Sequence, residues 1–274
     1  MIQEDIQQIE FTIFDAETTG LDPESGDRIV EIAAIRLRGQ ERIGSFQSLV
    51  NPHRVISPAA FAVNHISAEM LTGAPDMREV LPRFLSFMEG SCLCSYNAGF
   101  DMKFIQKERE LLGMEVLSEV VIVDILKMAR RLLPGLERYA LWFVAQTLGI
   151  KTKQEHRAFS DVEMAIQVFD RLRQRLAQKE ITDFNSFVQL FSIDRGLREN
   201  TLIQKTAQIQ EAMDLGGALK IKYLSVSSAA VTEREVIPRQ IRKENNQVYL
   251  VGYCRLKHEE RLFRIDGILH LEIV

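Results

Sequence analysis

The sequence predicts a mixed α/β fold followed by a small, separate β module, on three observations. Strand-like runs at about 10–16, 28–38 and 43–50 are joined by turns short enough to force antiparallel pairing. From Ser91 the pattern changes to alternating strands and helices, which makes the sheet mixed and flanks it with helices. Beyond Gly216-Gly217 short alternating runs return, as expected of a β module.

In order, Phe11-Thr-Ile-Phe-Asp15 is apolar and β-branched, and Gly20–Gly26 and Arg38-Gly39-Gln40 supply the turns. Ser57 ahead of Pro58 reads as a helix N-cap and first residue, opening a short helical stretch to Leu71. Asp76–Met88 has helical spacing. Ser91–Tyr96 reads as a strand, Phe100–Leu112 as a helix, Val120–Val123 as a buried strand, and Asp124–Leu133, Tyr139–Leu148 and Ala158–Leu176 as helices. The polar Lys179–Phe184 reads as a hinge and Phe184–Phe191 as an amphipathic connector helix. A helical run, Thr201–Leu215, precedes strands at Leu219–Ser225, Arg234–Arg242, Val248–Cys254 and Arg261–Ile265, with Asn245-Asn246 as a hairpin turn. The expected units are 1–177, a connector at 178–201, and 202–274.

With 274 residues, 46% of them hydrophobic, the chain can bury a large core. No apolar run approaches the ~20 residues that cross a bilayer, and the start lacks a signal-peptide pattern, so a cytoplasmic protein without a membrane partner is expected. Cys92, Cys94 and Cys254 have no zinc-ligand or redox spacing and are expected as reduced thiols. The net charge of −4 argues against coating nucleic acid by bulk charge. Its distribution is uneven: residues 205–274 carry 11 Lys/Arg against 9 Asp/Glu, and the acidic excess lies before them.

Asp15 and Glu17 stand two apart on a strand, so both point to one face. Such a pair repels itself unless a cation intervenes, and oxygen ligands suit Mg²⁺ or Mn²⁺. An exposed strand end with two solvated acids has the same spacing. Asp101, in Tyr96-Asn97-Ala98-Gly99-Phe100-Asp101, follows a strand and opens a helix, where it either caps that helix or faces a site. His156 lies five residues before Asp161, just ahead of a helix, where a neutral imidazole can accept a proton near pH 7. Four carboxylates and a histidine are the inventory for two-metal hydrolysis of a phosphodiester.

These three motifs, in this order and spacing, resemble those of the DEDDh 3′–5′ exonucleases, which are DnaQ-like and have a ribonuclease H-like mixed sheet flanked by helices. Val123-Asp-Ile-Leu-Lys-Met-Ala-Arg-Arg-Leu-Leu-Pro134-Gly and Leu141 through Leu148-Gly-Ile150 resemble the DNA polymerase III epsilon, proofreading type. The resemblance covers about residues 8–177. It implies that Asp15, Glu17 and Asp161 hold two divalent cations, Mg²⁺ or Mn²⁺, that Asp101 completes the shell, and that His156 is the general base. It further implies that Thr18, Thr19, His65, Asn97 and Phe100 bind the 3′ end. His65 lies in Val63-Asn64-His65-Ile66-Ser67, which departs from the family's loop by placing His where Gly is common.

Leu219-Lys-Ile-Lys-Tyr223, Ile237-Pro238, Val248-Tyr249-Leu250-Val-Gly-Tyr-Cys254 and Arg261-Leu-Phe263-Arg264-Ile-Asp266 resemble a WYL domain, a small SH3-like β barrel. Val248 replaces the namesake tryptophan. The resemblance implies that Tyr223, Arg239, Arg261 and Arg264 form a surface for single-stranded nucleic acid or a nucleotide, although solvated arginines on a structural barrel fit the same residues. Val188-Gln-Leu-Phe191 has the look of a sliding-clamp peptide, which with a DNA polymerase makes two possible partners.

The expected function is a metal-dependent 3′–5′ exonuclease on single-stranded or frayed DNA, releasing nucleoside 5′-monophosphates. Three alternatives stay open. They are trimming of RNA or oligoribonucleotides, a nucleic-acid-sensing WYL regulator with secondary hydrolysis, and a proofreading accessory working only beside a polymerase.

Overall fold

In the computed structural model, described for residues 4–115, 117, 120–151, 156–245 and 247–274, the central strand is β1 (Glu10–Thr18). It pairs antiparallel with β2 (Ile29–Arg38), which pairs antiparallel with β3 (Glu41–Leu49). Three helices follow: α1 (Pro58–Asn64), capped by the Ser57 hydroxyl as expected, α2 (Ala68–Leu71) and α3 (Met77–Met88). Then β4 (Cys92–Ser95) adds to the other side of β1 in parallel, α4 (Ala98–Leu111) crosses over, and β5 (Ile122–Asp124) pairs parallel with β4. The sheet order is β3-β2-β1-β4-β5, so the expected mixed sheet forms. Helices α5 (Ile125–Leu132), α6 (Leu141–Thr147) and α7 (Ala158–Ala177) complete this part.

Strand parity divides the core. Phe11 and Ile13 face a core that includes Met128, Val144, Val162 and Phe169 from α5, α6 and α7. Phe14 and Ala16 face the opposite core, with Val80 and Phe84 of α3 and Phe104 of α4. Asp15 and Glu17 continue the odd series, so the alternation that buries Phe11 and Ile13 also turns both carboxylates toward α7.

Three expectations about the connector change. Lys179–Phe184 is no hinge: Ile181 is buried, the Ile6 N–H donates to Thr182 O at 2.8 Å and the Phe184 N–H to Glu4 O at 2.9 Å. In α8 (Phe184–Phe191) the clamp-like peptide is inaccessible, because Leu190 and Phe191 are buried in the core. Helix α9 (Arg195–Asp214) starts six residues before the expected Thr201. Residues 196–200 are exposed and carry no apolar stripe, but Asp194 caps the helix by accepting from the Leu197 N–H at 2.8 Å.

The C-terminal part is a second five-stranded sheet, all antiparallel, ordered β10-β6-β7-β8-β9. Its strands are β6 (Leu219–Leu224), β7 (Val231–Glu244), β8 (Gln247–Cys254), β9 (Glu259–Arg264) and β10 (Ile268–Ile273). The last was not expected, because a register shift between Ile268 and His270 interrupts its alternation. Of the expected hairpin pair, Asn245 adopts φ 48° and Asn246 lies outside the described residues. All three cysteines are buried and free. Among the described residues no helix is long and apolar enough to cross a membrane.

The second sheet is joined to the first part through α5. Arg131 donates to Leu224 O at 3.2 Å and lies 3.9 Å from Asp266, while Leu224 is buried in the core of the first part. Inside the sheet Gly252 marks a close approach, since a Cβ there would stand 2.6 Å from both Ile237 O and Val236 Cγ1. Gly252→Ala is therefore expected to destabilise the protein by about 1–3 kcal/mol, read from urea denaturation. An unchanged midpoint would contradict the crowding.

Candidate active site

The functional side chains gather at the C-terminal ends of β1 and β4. Asp15, Glu17 and Asp161 each offer a carboxylate oxygen within 4.8 Å of the others. Parity on β1 supplies the first two, and the first turn of α7 supplies Asp161, where the helix dipole favours an anion. Asp101 occupies the corresponding first turn of α4. It is buried, accepting from the Ser95 hydroxyl at 2.5 Å and from the Ala16 N–H at 3.2 Å, so it is locked to the backbone between Asp15 and Glu17.

Burial and mutual repulsion govern the charges. Burial first, then Asp101, Glu17 and Asp161, push the Asp15 carboxyl well above its ordinary range. Burial, then Asp161, Glu31 and Asp101, raise Glu17 to about 8, against an opposing hydrogen bond from Asn64. Burial raises Asp101 to about 7, against the opposing hydrogen bonds from Ser95 and Ala16. Such clustered oxygen donors fit hard divalent cations, whose binding would favour the ionised forms.

His156 precedes α7 with φ 50°, and its Nδ1 lies 4.0 Å from Asp161 Oδ2. Its side chain is 45% exposed, so one edge of the ring reaches solvent. His65 ends α1 in the left-handed region, exposed, with its ring 6.3 Å from that of Phe61. Asn97, exposed at φ 72°, caps α4 through its backbone position, its N–H donating to Asp124 Oδ1 at 3.1 Å. Phe100 is half-buried and packs on Phe104 at 5.0 Å. The Thr18 and Thr19 hydroxyls are engaged locally, donating to Gly20 O and Asp27 Oδ1 at 2.5 and 3.1 Å, so both residues shape the loop after β1.

The sequence reading did not single out four residues that support this arrangement. Ser95 holds Asp101, and Asn64, buried, donates to Thr18 O at 3.2 Å. The other two are Glu31 and Arg157. Glu31 lies directly opposite Glu17 on β2, fully buried, and accepts from Arg157 Nη2 and Nε at 2.8 and 3.0 Å and from the Ala158 N–H at 3.1 Å. Burial alone would raise Glu31, yet Arg157, Gln47 and the Ala158 N–H hold it below the usual range. It thereby pins the start of α7, between His156 and Asp161. A lone acid in the apolar run Ile29–Ile35 was the available signal.

In the second sheet, Tyr223, Arg261 and Arg264 line a cavity of about 410 Å³ with Arg234 and Tyr249, whereas Arg239 is not among its lining residues. Each of the three predicted arginines has an acidic neighbour. Arg239 pairs with Glu260 at 2.9 Å, Arg261 with Glu259 at 3.3 Å, and Arg264 with Asp266 through two hydrogen bonds.

Residues 12–169 match the exonuclease family model and residues 204–273 the WYL domain model. Curated relatives include DNA polymerase III PolC-type of Staphylococcus haemolyticus, 31% identical over 249 residues, 90% of this chain and 17% of that protein. The PolC-type polymerase of Caldanaerobacter subterraneus subsp. tengcongensis is 33% identical over 188 residues, 68% of this chain and 13% of that protein. The chain thus spans under a fifth of the length of either relative. Among solved structures, the nuclease domain of 3′hExo, a DEDDh family member bound to rAMP, superposes with TM-score 0.55 at 19% identity, covering 62% of this chain and 94% of that one. The 3′-exonuclease that recognises the histone mRNA stem-loop gives TM-score 0.55 at 18% identity, covering 63% and 67%. At these identities the likeness establishes the shared fold.

Two outcomes follow from the charges. The raised carboxyls mean that the metal-free native state holds more protons than the unfolded chain, for Glu17 between pH 4.5 and about 8. Stability should therefore fall as pH rises through that window, and Mn²⁺ should restore it most at the alkaline end. Melting curves with chelator or Mn²⁺ check this, and a flat Tm in chelator would contradict it. Second, Arg157→Met strands the Glu31 charge and should cost about 3–5 kcal/mol, while adding Glu31→Gln to it should recover part of the loss in urea denaturation.

Proposed function

This chain is a member of the exonuclease family, and on that premise we propose that it is a metal-dependent 3′–5′ exonuclease removing nucleoside 5′-monophosphates from single-stranded or frayed DNA ends. The observation that carries the reading is the cluster of Asp15, Glu17 and Asp161 within 4.8 Å, with Asp101 buried beside it and His156 at the solvent edge. Asp15, Glu17 and Asp161 would hold two divalent cations, Mg²⁺ or Mn²⁺, with Asp101 completing the set. When bound, such cations polarise the scissile phosphate and promote ionisation of the attacking water.

His156 takes the proton of that water and passes it to solvent from its exposed ring edge. Glu31 and Arg157 act by position, fixing the loop that carries His156 and the turn that carries Asp161. The terminal nucleotide would be held by the loop of Thr18 and Thr19 together with His65, Asn97 and Phe100. A half-exposed aromatic such as Phe100 accepts any base, so little sequence preference follows.

DNA is favoured over RNA because the curated relatives are DNA polymerases, and the same likeness supports a polymerase partner and a replication or repair setting. The C-terminal sheet is read as an SH3-like WYL barrel, in which β7, bent by the register shift between Pro238 and Gln240, allows the sheet to curl. Its Tyr223, Arg261 and Arg264 would receive a strand or nucleotide by exchanging their acidic neighbours for phosphate, with Arg239 at the margin.

The test is a time course on 5′-labelled single-stranded, blunt and 3′-recessed DNA and RNA with Mg²⁺, Mn²⁺ or chelator. A ladder shortening from the 3′ end on single-stranded DNA, absent with chelator, is expected. Asp15→Ala and Asp161→Ala should abolish it with strand binding retained, and His156→Ala should lower turnover by roughly 100-fold or more at unchanged metal affinity. Hydrolysis persisting in Asp15→Ala would overturn the metal assignment.

A further inference from the structure

We propose that the exposed ring of Trp142, with the Arg138 guanidinium beside it, is a stacking platform for an unpaired base of the strand that enters the catalytic cleft. The proposal rests on the exonuclease reading above and adds a second contact to it, outside the cluster of carboxylates.

Helix α6 buries Leu141, Val144 and Ala145, which leaves Trp142 on the outer side, 42% exposed. Arg138 Cζ lies 6.0 Å from the centre of the Trp142 ring and 5.6 Å from that of Phe143, and Arg130 stands 5.9 Å from the ring of Tyr139. A single exposed aromatic is ordinary. Here the ring is joined to an excess of positive charge: residues 127–138 hold Lys127, Arg130, Arg131 and Arg138 against Glu137 alone, in a chain of net charge −4. Lys127 and Arg131 turn inward, to Ser192 O and Leu224 O. Arg130 and Arg138 stay exposed, Arg138 with its sequence neighbour Glu137 at 2.8 Å as its acidic partner. A flat π-face flanked by cations suits a nucleobase and its phosphates, the ring taking the base and the arginines neutralising the backbone.

The segment that carries the platform is anchored to the end of β4 from which Asn97 and Asp101 follow. Tyr96 Oη donates to Tyr139 O at 2.7 Å, and Tyr139 Oη is itself fixed, donating to Leu133 O at 2.7 Å. Tyr96 immediately precedes Asn97 and the turn into Asp101. The 134–143 segment is thereby tied to the C-terminal end of β4, parallel neighbour of the strand that carries Asp15 and Glu17. A strand whose 3′ end occupies the carboxylate cluster would thus leave it past a segment anchored at the same end of the sheet, and its next bases would meet Trp142 there.

Trp142 is the sequence's one tryptophan, so its emission reports this site alone. The Asp15→Ala full chain, with Mg²⁺, is titrated with dTMP and with thymidylate strands of two, four and eight nucleotides. Tryptophan emission is followed beside the anisotropy of a 5′-labelled strand. Expected are quenching that saturates together with anisotropy for the longer strands, no quenching by dTMP, and roughly tenfold weaker binding of the eight-nucleotide strand by Trp142→Leu but not by Trp142→Phe. Anisotropy that saturates while emission stays flat, or a Trp142→Leu chain that binds as tightly as its parent, would overturn the platform and leave the exonuclease reading standing. If the unaltered chain neither binds nor hydrolyses any strand, the exonuclease reading fails, and the platform with it.

Discussion

Like charges held out of water are the constraint on which the rest of the first domain depends. Asp15, Glu17, Asp101 and Asp161 repel one another and lose hydration, and the fold must hold them together all the same. It does so with rigid elements. Strand parity aims two of the four, the N-terminal turns of α4 and α7 favour the other two, and Ser95 and the Ala16 N–H fix Asp101. Glu31 is a fifth acid in the same neighbourhood, and Arg157 compensates it while joining β2 to the start of α7.

That division of labour explains what was legible. The motif residues were visible because their chemistry and spacing are local, and β1's apolar run ending in two acids two apart announced both the strand and its carboxylates. Glu31 was hidden because its meaning comes from lying opposite Glu17 across a strand pair and beside an arginine 126 positions away, neither of which a one-dimensional pattern records. Asn64 and Ser95 were hidden for the same reason. The first six residues of α9 and the whole of β10 escaped for another: exposed helix carries no stripe, and a bulge breaks a strand's period.

The second sheet is less a tail than a neighbour. Leu224 is buried in the core of the first part, and Arg131 reaches from α5 to Leu224 O and Asp266. Asp266 is shared with Arg264, which lines the cavity of the second sheet. A side chain of the module's own cavity and a side chain of the nuclease helix thus meet on one carboxylate, and the two parts are linked by charge as well as by packing.

The two-sidedness of β1 bears on which genetic changes the chain can absorb. Its odd positions run from Phe11 and Ile13 in one core to the carboxylates, while Phe14 and Ala16 fill the opposite core, so each face is correct only in one register of the pleat. Losing or gaining a single residue between Phe11 and Asp15 would swap the faces beyond it and carry both acids into the apolar layer of α3 and α4. Substitutions along this strand can drift one at a time, whereas insertions and deletions there should be purged, and length variation among relatives should collect in the turns that flank it.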